Sequence, residues 1–156
     1  MWKKLGLIIL LCSLMGCSPN EPVYKDSQDQ SITLSSLKGK WVVINYWAPW
    51  CPSCVHEIPE LNHFYENNKD KNVLVYGVNF DAASSFGDFN KAIQKAKIEF
   101  PVLLEDPGMT WKLGDITAIP MTFILDPNGK VIKTFVGPTT EKSLSLALNE
   151  LKKTFP

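Results

Sequence analysis

The first strong pattern along the chain is a run of apolar, β-prone residues from Trp41 to Trp47. A nearly continuous apolar run of this length is typical of a strand that is buried on both faces of a sheet. From Cys51 the spacing changes, and apolar residues recur every three or four positions up to Tyr65, as on one face of an α-helix. The sequence therefore predicts a buried central strand followed by a helix, in which Pro59 should introduce a kink.

A second strand and helix follow the first pair. Residues 73–80 form another apolar, β-prone run, and residues 86–97 have apolar side chains at helical spacing. Strands that alternate with helices in this way are usually parallel and joined by right-handed crossovers. Residues 100–104 then predict a short extended segment, and residues 107–113 predict a helical turn.

The last third of the chain has a different pattern. Two β-prone runs at 121–125 and 131–136 flank an Asp-Pro-Asn-Gly segment at 126–129, which is typical of a tight turn between antiparallel strands. An amphipathic helix is predicted from about Thr140 to Lys152, with an apolar face formed by Leu144, Leu146, Ala147, Leu148 and Leu151. Together these elements predict an α/β fold, in which helices flank a central mixed β-sheet and a β-hairpin and a helix end the chain.

The N-terminal residues have the features of an export signal, because Lys3 and Lys4 precede an apolar stretch that ends near Met15. That stretch holds about ten residues, whereas a membrane-spanning helix needs about 20, so a permanent span is not predicted. The Leu-Met-Gly-Cys segment at 14–17 resembles the lipobox of bacterial lipoproteins, and this implies that Cys17 is lipid-modified. The alternative is ordinary cleavage nearby, which would release a soluble periplasmic protein.

We therefore divide the chain into a lipoprotein signal peptide at residues 1–16, a lipid-anchored tether at residues 17–30 and one domain at residues 31–156. The tether has many polar residues and few large apolar ones, as flexible linkers do. The mature chain keeps 140 of the 156 residues, which is enough to bury a hydrophobic core of its own.

Charge and cysteine content narrow the possible functions. Without residues 1–16, 14 lysines stand against 16 acidic residues, so there is no basic surplus that would attract nucleic acid. Of the four cysteines, Cys12 would leave with the signal peptide and Cys17 would be lipidated. Cys51 and Cys54 remain, and a single close pair is not the framework of a disulfide-stapled domain.

The Cys51-Pro52-Ser53-Cys54 segment lies where the first strand turns into the helix. A helix N-terminus favours a thiolate and can lower the pKa of a cysteine from about 8.5 to between about 3.5 and 7.5. Cys51, at the start of the helix, is the predicted attacking thiol, and Cys54, one turn later, is the thiol that resolves the mixed disulfide. Pro52 and Ser53 lie between them and would tune the reduction potential.

Several spaced motifs resemble the thioredoxin superfamily. They are the segment from Asn45 to Cys54, the helix proline Pro59 and the segment at 118–122. The segments at 78–81 and 126–130 most resemble the membrane-tethered TlpA/ResA/DsbE-like branch of that superfamily, and the similarity covers about residues 31–151. The resemblance implies a thioredoxin-like fold and a dithiol-disulfide activity that uses no cofactor.

The resemblance also implies roles for residues outside the cysteine pair. Ile119 and Pro120 match the cis-proline loop that faces the cysteines and binds an extended substrate polypeptide. Cytoplasmic thioredoxins have a buried aspartate at the position of Asn45, which cannot titrate. Glu57 matches the active-site glutamate of the ResA-like branch, so it is the predicted proton acceptor for Cys54, with a raised pKa if it is buried. The alternative for Glu57 is a surface position on the helix.

Other residues near the pair have simpler explanations. Trp50 is predicted to form part of the partner-facing surface, and Asp81 is predicted to be a turn residue at a strand end. A CxxC pair is also half of a zinc site, but structural zinc needs four ligands and no second pair exists, so no metal site is predicted. His56 and His63 could in principle join the cysteines. Metal delivery, including copper, or a non-catalytic binding module on the same fold is therefore the alternative function.

The sequence thus leads to the expectation of an extracytoplasmic thiol-disulfide oxidoreductase in the bacterial cell envelope, anchored by lipid and facing the periplasm or the outer cell surface. The resemblance implies that it reduces disulfides in exported proteins, for example apocytochrome c before haem attachment. A membrane electron donor of the DsbD or CcdA type would then restore its dithiol. Oxidant or isomerase activity is the alternative direction on the same fold.

Overall fold

The computed structural model describes residues 21–81 and 86–154. The elements in chain order are β1 (Tyr24–Lys25), β2 (Ser31–Ile32), a 3₁₀ turn (Ser35–Leu37), β3 (Trp41–Trp47), α1 (Pro52–Asn68), β4 (Val73–Asn79), α2 (Phe86–Ala96), β5 (Val102–Leu103), β6 (Met121–Leu125), β7 (Val131–Val136) and α3 (Glu141–Thr154). The predicted strands and helices are thus present, with short elements added at the N-terminal side.

Five strands form one mixed sheet in the order β5-β4-β3-β6-β7. The central strand β3 pairs in parallel with β4 along its whole length and antiparallel with β6. The hairpin of β6 and β7 is antiparallel, and β4 pairs in parallel with β5. This arrangement confirms the predicted fold class, including the parallel crossover in the first half and the antiparallel hairpin at the end.

The central strand is buried on both faces, as its apolar run predicted. Val43 and Trp47 belong to a cluster that also contains the inner faces of α1 and α3, whereas Ile44 and Tyr46 belong to a second cluster built around Trp111. The sheet therefore separates two cores. The alternation along β3 also points Asn45 toward the side of the sheet that α1 covers.

Some boundaries differ from the predicted ones. Strand β4 ends at Asn79, so Phe80 lies outside it and is half exposed. The predicted extended segment at 100–104 contains a strand of only two residues. Helix α1 continues through Pro59 without a break, and residues 107–113 form a single turn, closed by the hydrogen bond from Trp111 N to Pro107 O at 2.8 Å.

Residues 24–26, which the sequence analysis assigned to the tether, are packed into the folded unit. Tyr24 is buried, stacks edge-on against Trp111 and donates a hydrogen bond of 2.7 Å to Oγ1 of Thr110. Asp26 is buried too, and its carboxylate accepts hydrogen bonds from the backbone N–H groups of Gln28 and Gln30. The described fold thus includes residues before Ser31.

Helix α3 packs on α1 through Leu144 and Leu148, which are both buried. Leu146, which was predicted to belong to the same apolar face, is instead 57% exposed. Successive helical residues are about 100° apart, so a residue two positions from Leu144 lies on the opposite side of the helix. The assignment of Leu146 to the buried face was therefore wrong.

Buried Leu148 and exposed Leu146 allow a matched test of how much the packing of α3 on α1 contributes to the stability of the domain. We expect Leu148→Ala to lower the free energy of unfolding by about 2–5 kcal/mol, because it leaves a cavity between α1 and α3. Leu146→Ala removes the same atoms from the exposed side and should change stability by no more than about 0.5 kcal/mol. Urea denaturation followed by tryptophan fluorescence measures both values. Equal losses in the two variants would contradict the described packing.

Candidate active site

The cysteine pair lies at the start of α1, directly after the central strand. Cys51 is the N-cap of the helix, with an extended backbone, and Pro52 occupies the first helical position. The Sγ atom of Cys51 accepts a hydrogen bond of 3.2 Å from the backbone N–H of Cys54. The hydroxyl of Ser53 lies 3.4 Å from the same sulfur. The unpaired N–H groups of the first turn thus point toward the sulfur of Cys51, as the position in the sequence predicted.

Cys51 and Cys54 form a disulfide, with their Cα atoms 5.3 Å apart. Cys51 is 4% exposed, and Cys54 has no exposed surface. Cys51 is therefore the residue of the pair that an incoming thiol or disulfide can approach, as attack by Cys51 and resolution by Cys54 would require.

The Ile119-Pro120 loop faces the disulfide from across the site. The peptide bond between the two residues is cis, as the resemblance implied. The carbonyl oxygen of Ile119 lies 3.9 Å from Sγ of Cys51. Pro120 is buried, and its carbonyl accepts a hydrogen bond of 2.9 Å from Gly137 N, which ties the loop to the segment between β7 and α3. The loop is thus held beside the sulfur of Cys51.

Trp50 is 61% exposed and lies next to the reactive cysteine in the chain. Its indole N–H donates a hydrogen bond to the carboxylate of Asp81, in the segment that follows β4. Asp81 was predicted to be a turn residue, with an electrostatic influence on the site as the alternative, and no local pattern in the sequence connects it with Trp50. The contact orients an aromatic side chain on the surface around the disulfide.

Glu57 lies three residues after Cys54 on the same helix and is only 2% exposed. Its Oε1 accepts a hydrogen bond of 2.7 Å from Nδ2 of Asn45, and its Oε2 accepts one of 2.7 Å from the backbone N–H of Thr139. The surface position that was the alternative for Glu57 is therefore wrong. Nδ2 of Asn45 also donates to Oγ1 of Thr122 at 2.9 Å.

Burial controls the titration of this carboxyl. It raises the pKa of Glu57 from 4.5 to about 7, although the hydrogen bonds from Thr139 and Asn45 oppose the shift by stabilising the charged form. A carboxyl with a pKa near neutrality can accept and return a proton at physiological pH. Glu57 and Asn45 were predicted from the sequence, whereas Thr122 and Thr139 were not.

A groove of about 830 Å³ lies beside the disulfide, between the first turns of α1 and the loop before α3. Its lining combines apolar and polar side chains: Pro49, Trp50, Pro52, Val55, His56, Glu57, Pro59, Glu60, Pro138, Thr139 and Thr140. The groove therefore leads from the exposed Trp50 to the buried carboxyl of Glu57.

The residues proposed for metal binding do not converge. His56 and His63 are both exposed on α1. Within the described residues, no group of three or more His, Cys, Asp or Glu side chains has an arrangement that could hold a metal ion.

The predicted signal peptide and Cys17 lie outside the described residues. Among residues 21–81 and 86–154, none of the helices combines the length and the apolar character that a membrane span requires.

Comparisons with known proteins agree with this geometry. The profile of the AhpC/TSA family matches residues 19–134. The thiol-disulfide oxidoreductase ResA of Bacillus subtilis (strain 168) is 32% identical over 131 residues, which are 83% of this chain and 72% of ResA. The crystal structure of StoA from Bacillus subtilis superposes with a TM-score of 0.68 at 28% identity, and the match covers 82% of this chain and 96% of StoA.

A putative thiol:disulfide interchange protein DsbE from Chlorobium tepidum has a similar structure, with a TM-score of 0.67 at 28% identity over 85% of this chain and 92% of that one. These similarities confirm the superfamily that the motifs around Cys51 and Pro120 indicated, and the ResA-like and DsbE-like branch that the segments at 78–81 and 126–130 indicated. The chain therefore belongs to the AhpC/TSA family, as a thioredoxin-like thiol-disulfide oxidoreductase.

Proposed function

We propose that this chain reduces disulfides in exported proteins, on the extracytoplasmic side of a bacterial membrane. The observation that carries the proposal is the Cys51–Cys54 disulfide at the N-terminus of α1, beside the cis-proline loop and on the same helix as a buried glutamate. The export signal and lipobox-like segment support the compartment. Apocytochrome c before haem attachment is a substrate of the proposed class.

The cycle begins with the dithiol form. The thiolate of Cys51 attacks one sulfur of a substrate disulfide, which forms a mixed disulfide and releases the other substrate sulfur as a thiol. The thiolate of Cys54 then attacks the sulfur of Cys51, so the substrate leaves as a dithiol and the Cys51–Cys54 disulfide is left. Two electrons have moved from the protein to the substrate, and a dithiol of a DsbD-type or CcdA-type membrane protein returns them.

The surface around Cys51 fits an extended polypeptide. We assign substrate binding to Trp50, Ile119 and Pro120, because Trp50 is exposed next to Cys51 in the chain and the carbonyl of Ile119 lies 3.9 Å from the sulfur of Cys51. A substrate strand can donate a backbone N–H to such a carbonyl. Pro52 and Ser53 tune the reduction potential of the disulfide. Pro52 fixes the backbone at the first helical position, and the hydroxyl of Ser53 lies close to the sulfur of Cys51.

Glu57 is assigned as the proton acceptor for Cys54. The two residues are three positions apart on α1 and both are buried, so the thiol of Cys54 has no direct access to bulk water. The pKa of about 7 allows Glu57 to take this proton when Cys54 must attack. The groove lined by Thr139 and Glu57 gives the proton a path to solvent.

Membrane attachment is assigned to Cys17. Lipidation there would hold the domain close to the bilayer, where a membrane-embedded electron donor can reach it. Mass spectrometry of the protein isolated from a bacterial membrane fraction measures whether Cys17 has a diacylglycerol group.

Two measurements on the purified chain test the redox assignment. We expect catalysed reduction of insulin disulfides and a reduction potential near that of thioredoxin, about −270 mV, rather than near that of a strong oxidant, about −120 mV. Equilibration with glutathione or dithiothreitol mixtures gives the potential. A reduction potential of about −120 mV would mean that the protein oxidises its substrates rather than reducing them. Stoichiometric binding of copper(I) or zinc without any disulfide exchange would mean that the protein delivers metal and has no redox function.

A further inference from the structure

The end of the domain opposite the disulfide is rich in lysine. Strands β3, β4 and β7 begin there, β6 ends there, and the registers of Trp41 with Val73 and of Leu125 with Val131 place these ends side by side. Gly39 N donates to Pro127 O at 2.8 Å, which joins the segment before β3 to the turn of the hairpin. We call this end of the domain the basal face.

The basal face carries more than half of the lysines of the described chain. They are Lys38, Lys40, Lys69, Lys71, Lys112, Lys130, Lys152 and Lys153. Five acidic residues lie at the same end: Glu21, Glu66, Asp70, Asp126 and Glu150. The lysines at this end thus outnumber the acidic residues, whereas the described residues as a whole have 14 lysines against 16 acidic residues. A nearly neutral chain is therefore strongly polarised.

Several basal acidic groups are engaged within the protein. The carboxylate of Asp126 is buried and accepts hydrogen bonds of 2.9 Å from the N–H groups of Asn128 and Lys130. Glu66 pairs with Lys69 at 2.7 Å. Lys71 and Lys152 line the same cleft as Glu141, and burial, followed by the charge of Lys71, lowers the pKa of Lys152. These two like charges would be stabilised by an external anion.

A groove of about 430 Å³ opens in the basal face between the hairpin turn and the segment around Trp111. Its lining includes Leu34, Lys112, Asn128 and Lys130. Trp111 also lines it, and the indole N–H of this buried residue has no acceptor in the part of the chain that the structure describes. The ammonium groups of Lys112 and Lys130, which flank the groove, would attract a phosphate group at its rim.

The N-terminal segment reaches the domain at the basal face. The carboxylate of Glu21 accepts a hydrogen bond of 2.8 Å from the backbone N–H of Ser35, in the 3₁₀ turn before Lys38. Cys17 is four residues before Glu21, and four residues span at most about 14 Å. A lipid on Cys17 would therefore keep this end of the domain close to the bilayer surface.

We propose that the basal face is a docking surface for an anionic phospholipid bilayer, and that docking holds the Cys51–Cys54 disulfide on the side of the domain that faces away from the membrane. The inference rests on the anchor at Cys17 given under Proposed function. Strand β3 alone separates the two ends by about 20 Å. The docked enzyme thus presents its active site to substrate proteins in the aqueous compartment, and the membrane electron donor would reduce the disulfide while the domain is undocked on its tether.

Hydrogen exchange on the full lipidated chain in phospholipid vesicles tests the proposal. With phosphatidylglycerol in the vesicles and low salt, we expect slower exchange at residues 34–40 and 126–131 than in pure phosphatidylcholine, and unchanged exchange at residues 48–56 and 117–120. High salt should remove the difference, because screening weakens the attraction. Equal protection in both lipids, or protection around Cys51, would overturn the proposal. Inorganic phosphate alone giving the same protection would reassign the groove to a free anion.

Two matched triple variants make the test specific. Lys38→Gln with Lys112→Gln and Lys130→Gln removes three basal charges, and Lys91→Gln with Lys95→Gln and Lys142→Gln removes three exposed charges elsewhere. One lysine near an anionic surface strengthens binding roughly fivefold, so the basal variant should lower the docking equilibrium on the order of 100-fold and the control should leave it unchanged. Equal losses in both variants would contradict a localised surface.

The same preparations separate failure of this inference from failure of the proposed function. Insulin reduction by the basal variant should match that of the wild type, because its substitutions are far from the disulfide. If mass spectrometry finds no lipid on Cys17, the proposed anchor is wrong. The hydrogen-exchange comparison is then made on the unlipidated chain mixed with vesicles. Protection of the basal face in that mixture supports the docking surface, and absence of protection overturns it.

Discussion

The Cys51→Ser variant is expected to lose disulfide reduction down to the uncatalysed background. Cys51 is the only residue of the pair with exposed surface, so Cys54 is not positioned to start the exchange. A serine hydroxyl at the N-cap keeps the hydrogen bond to the N–H of residue 54, and the fold should therefore be preserved. An insulin-reduction assay measures the loss, and circular dichroism with urea denaturation confirms that the variant is folded.

The companion variant Cys54→Ser distinguishes attack from resolution. Its Cys51 can still attack a substrate disulfide, but the buried position 54 no longer supplies the second thiolate, so mixed disulfides should accumulate. Mass spectrometry under non-reducing conditions detects these adducts. Full activity in Cys51→Ser, or adducts linked through Cys54 in the wild type, would mean that the order of the two thiols is reversed.

The elements with a clear hydrophobic period could be predicted from the sequence. Strand β3 and helix α1 follow their patterns closely, because a strand buried on both faces and a helix packed on a sheet require those residue types at that spacing. The two-residue strands β1 and β2 could not be predicted, since two residues contain no period. Tyr24 is buried only because Trp111 and Thr110, distant in sequence, come to lie against it.

In the active site too, residues that share one helix could be predicted from the sequence, whereas residues brought in by tertiary contacts could not. Cys51, Cys54 and Glu57 are on one helix, so their spacing alone predicts a shared face. Thr122 reaches Asn45 through the register of β3 with β6, and Thr139 reaches Glu57 from a loop that is 82 residues away in the chain. Such contacts depend on tertiary structure, and the residue types involved are common on protein surfaces.

Asn45 explains how a buried glutamate can change its protonation state. Its Nδ2 donates to Glu57 and to Thr122, while its Oδ1 is buried and has no donor among the residues described. This orientation suits charged Glu57, which accepts hydrogen bonds. Rotation of the amide would present Oδ1 to a protonated Glu57, which donates one. An aspartate at position 45 could not serve both states, because two charged carboxylates would repel each other.

The stability of the oxidised protein should fall between pH 4.5 and 7.5 because of Glu57. Its pKa is about 7 in the folded protein and 4.5 ordinarily, so the folded state binds the proton more tightly. The contribution of Glu57 to the free energy of unfolding is fully present below its pKa in the unfolded chain and is lost as the pH rises through its pKa in the folded protein. The size of this contribution is about 3 kcal/mol. Urea denaturation at several pH values gives the free energy of unfolding.

Glu57→Gln is the matched control, because glutamine has the same shape but does not titrate. The variant loses one acceptor, since only one of its terminal atoms is an oxygen while Asn45 and Thr139 both donate to Glu57. The loss of this hydrogen bond is independent of pH. The free energy of unfolding of the wild type minus that of the variant should therefore decline with rising pH by the full contribution of Glu57. In the reduced protein, the same substitution should shift the thiol titration of Cys54. A difference that stays constant from pH 4.5 to 7.5 would mean that Glu57 is charged throughout, and it could not then accept the proton of Cys54.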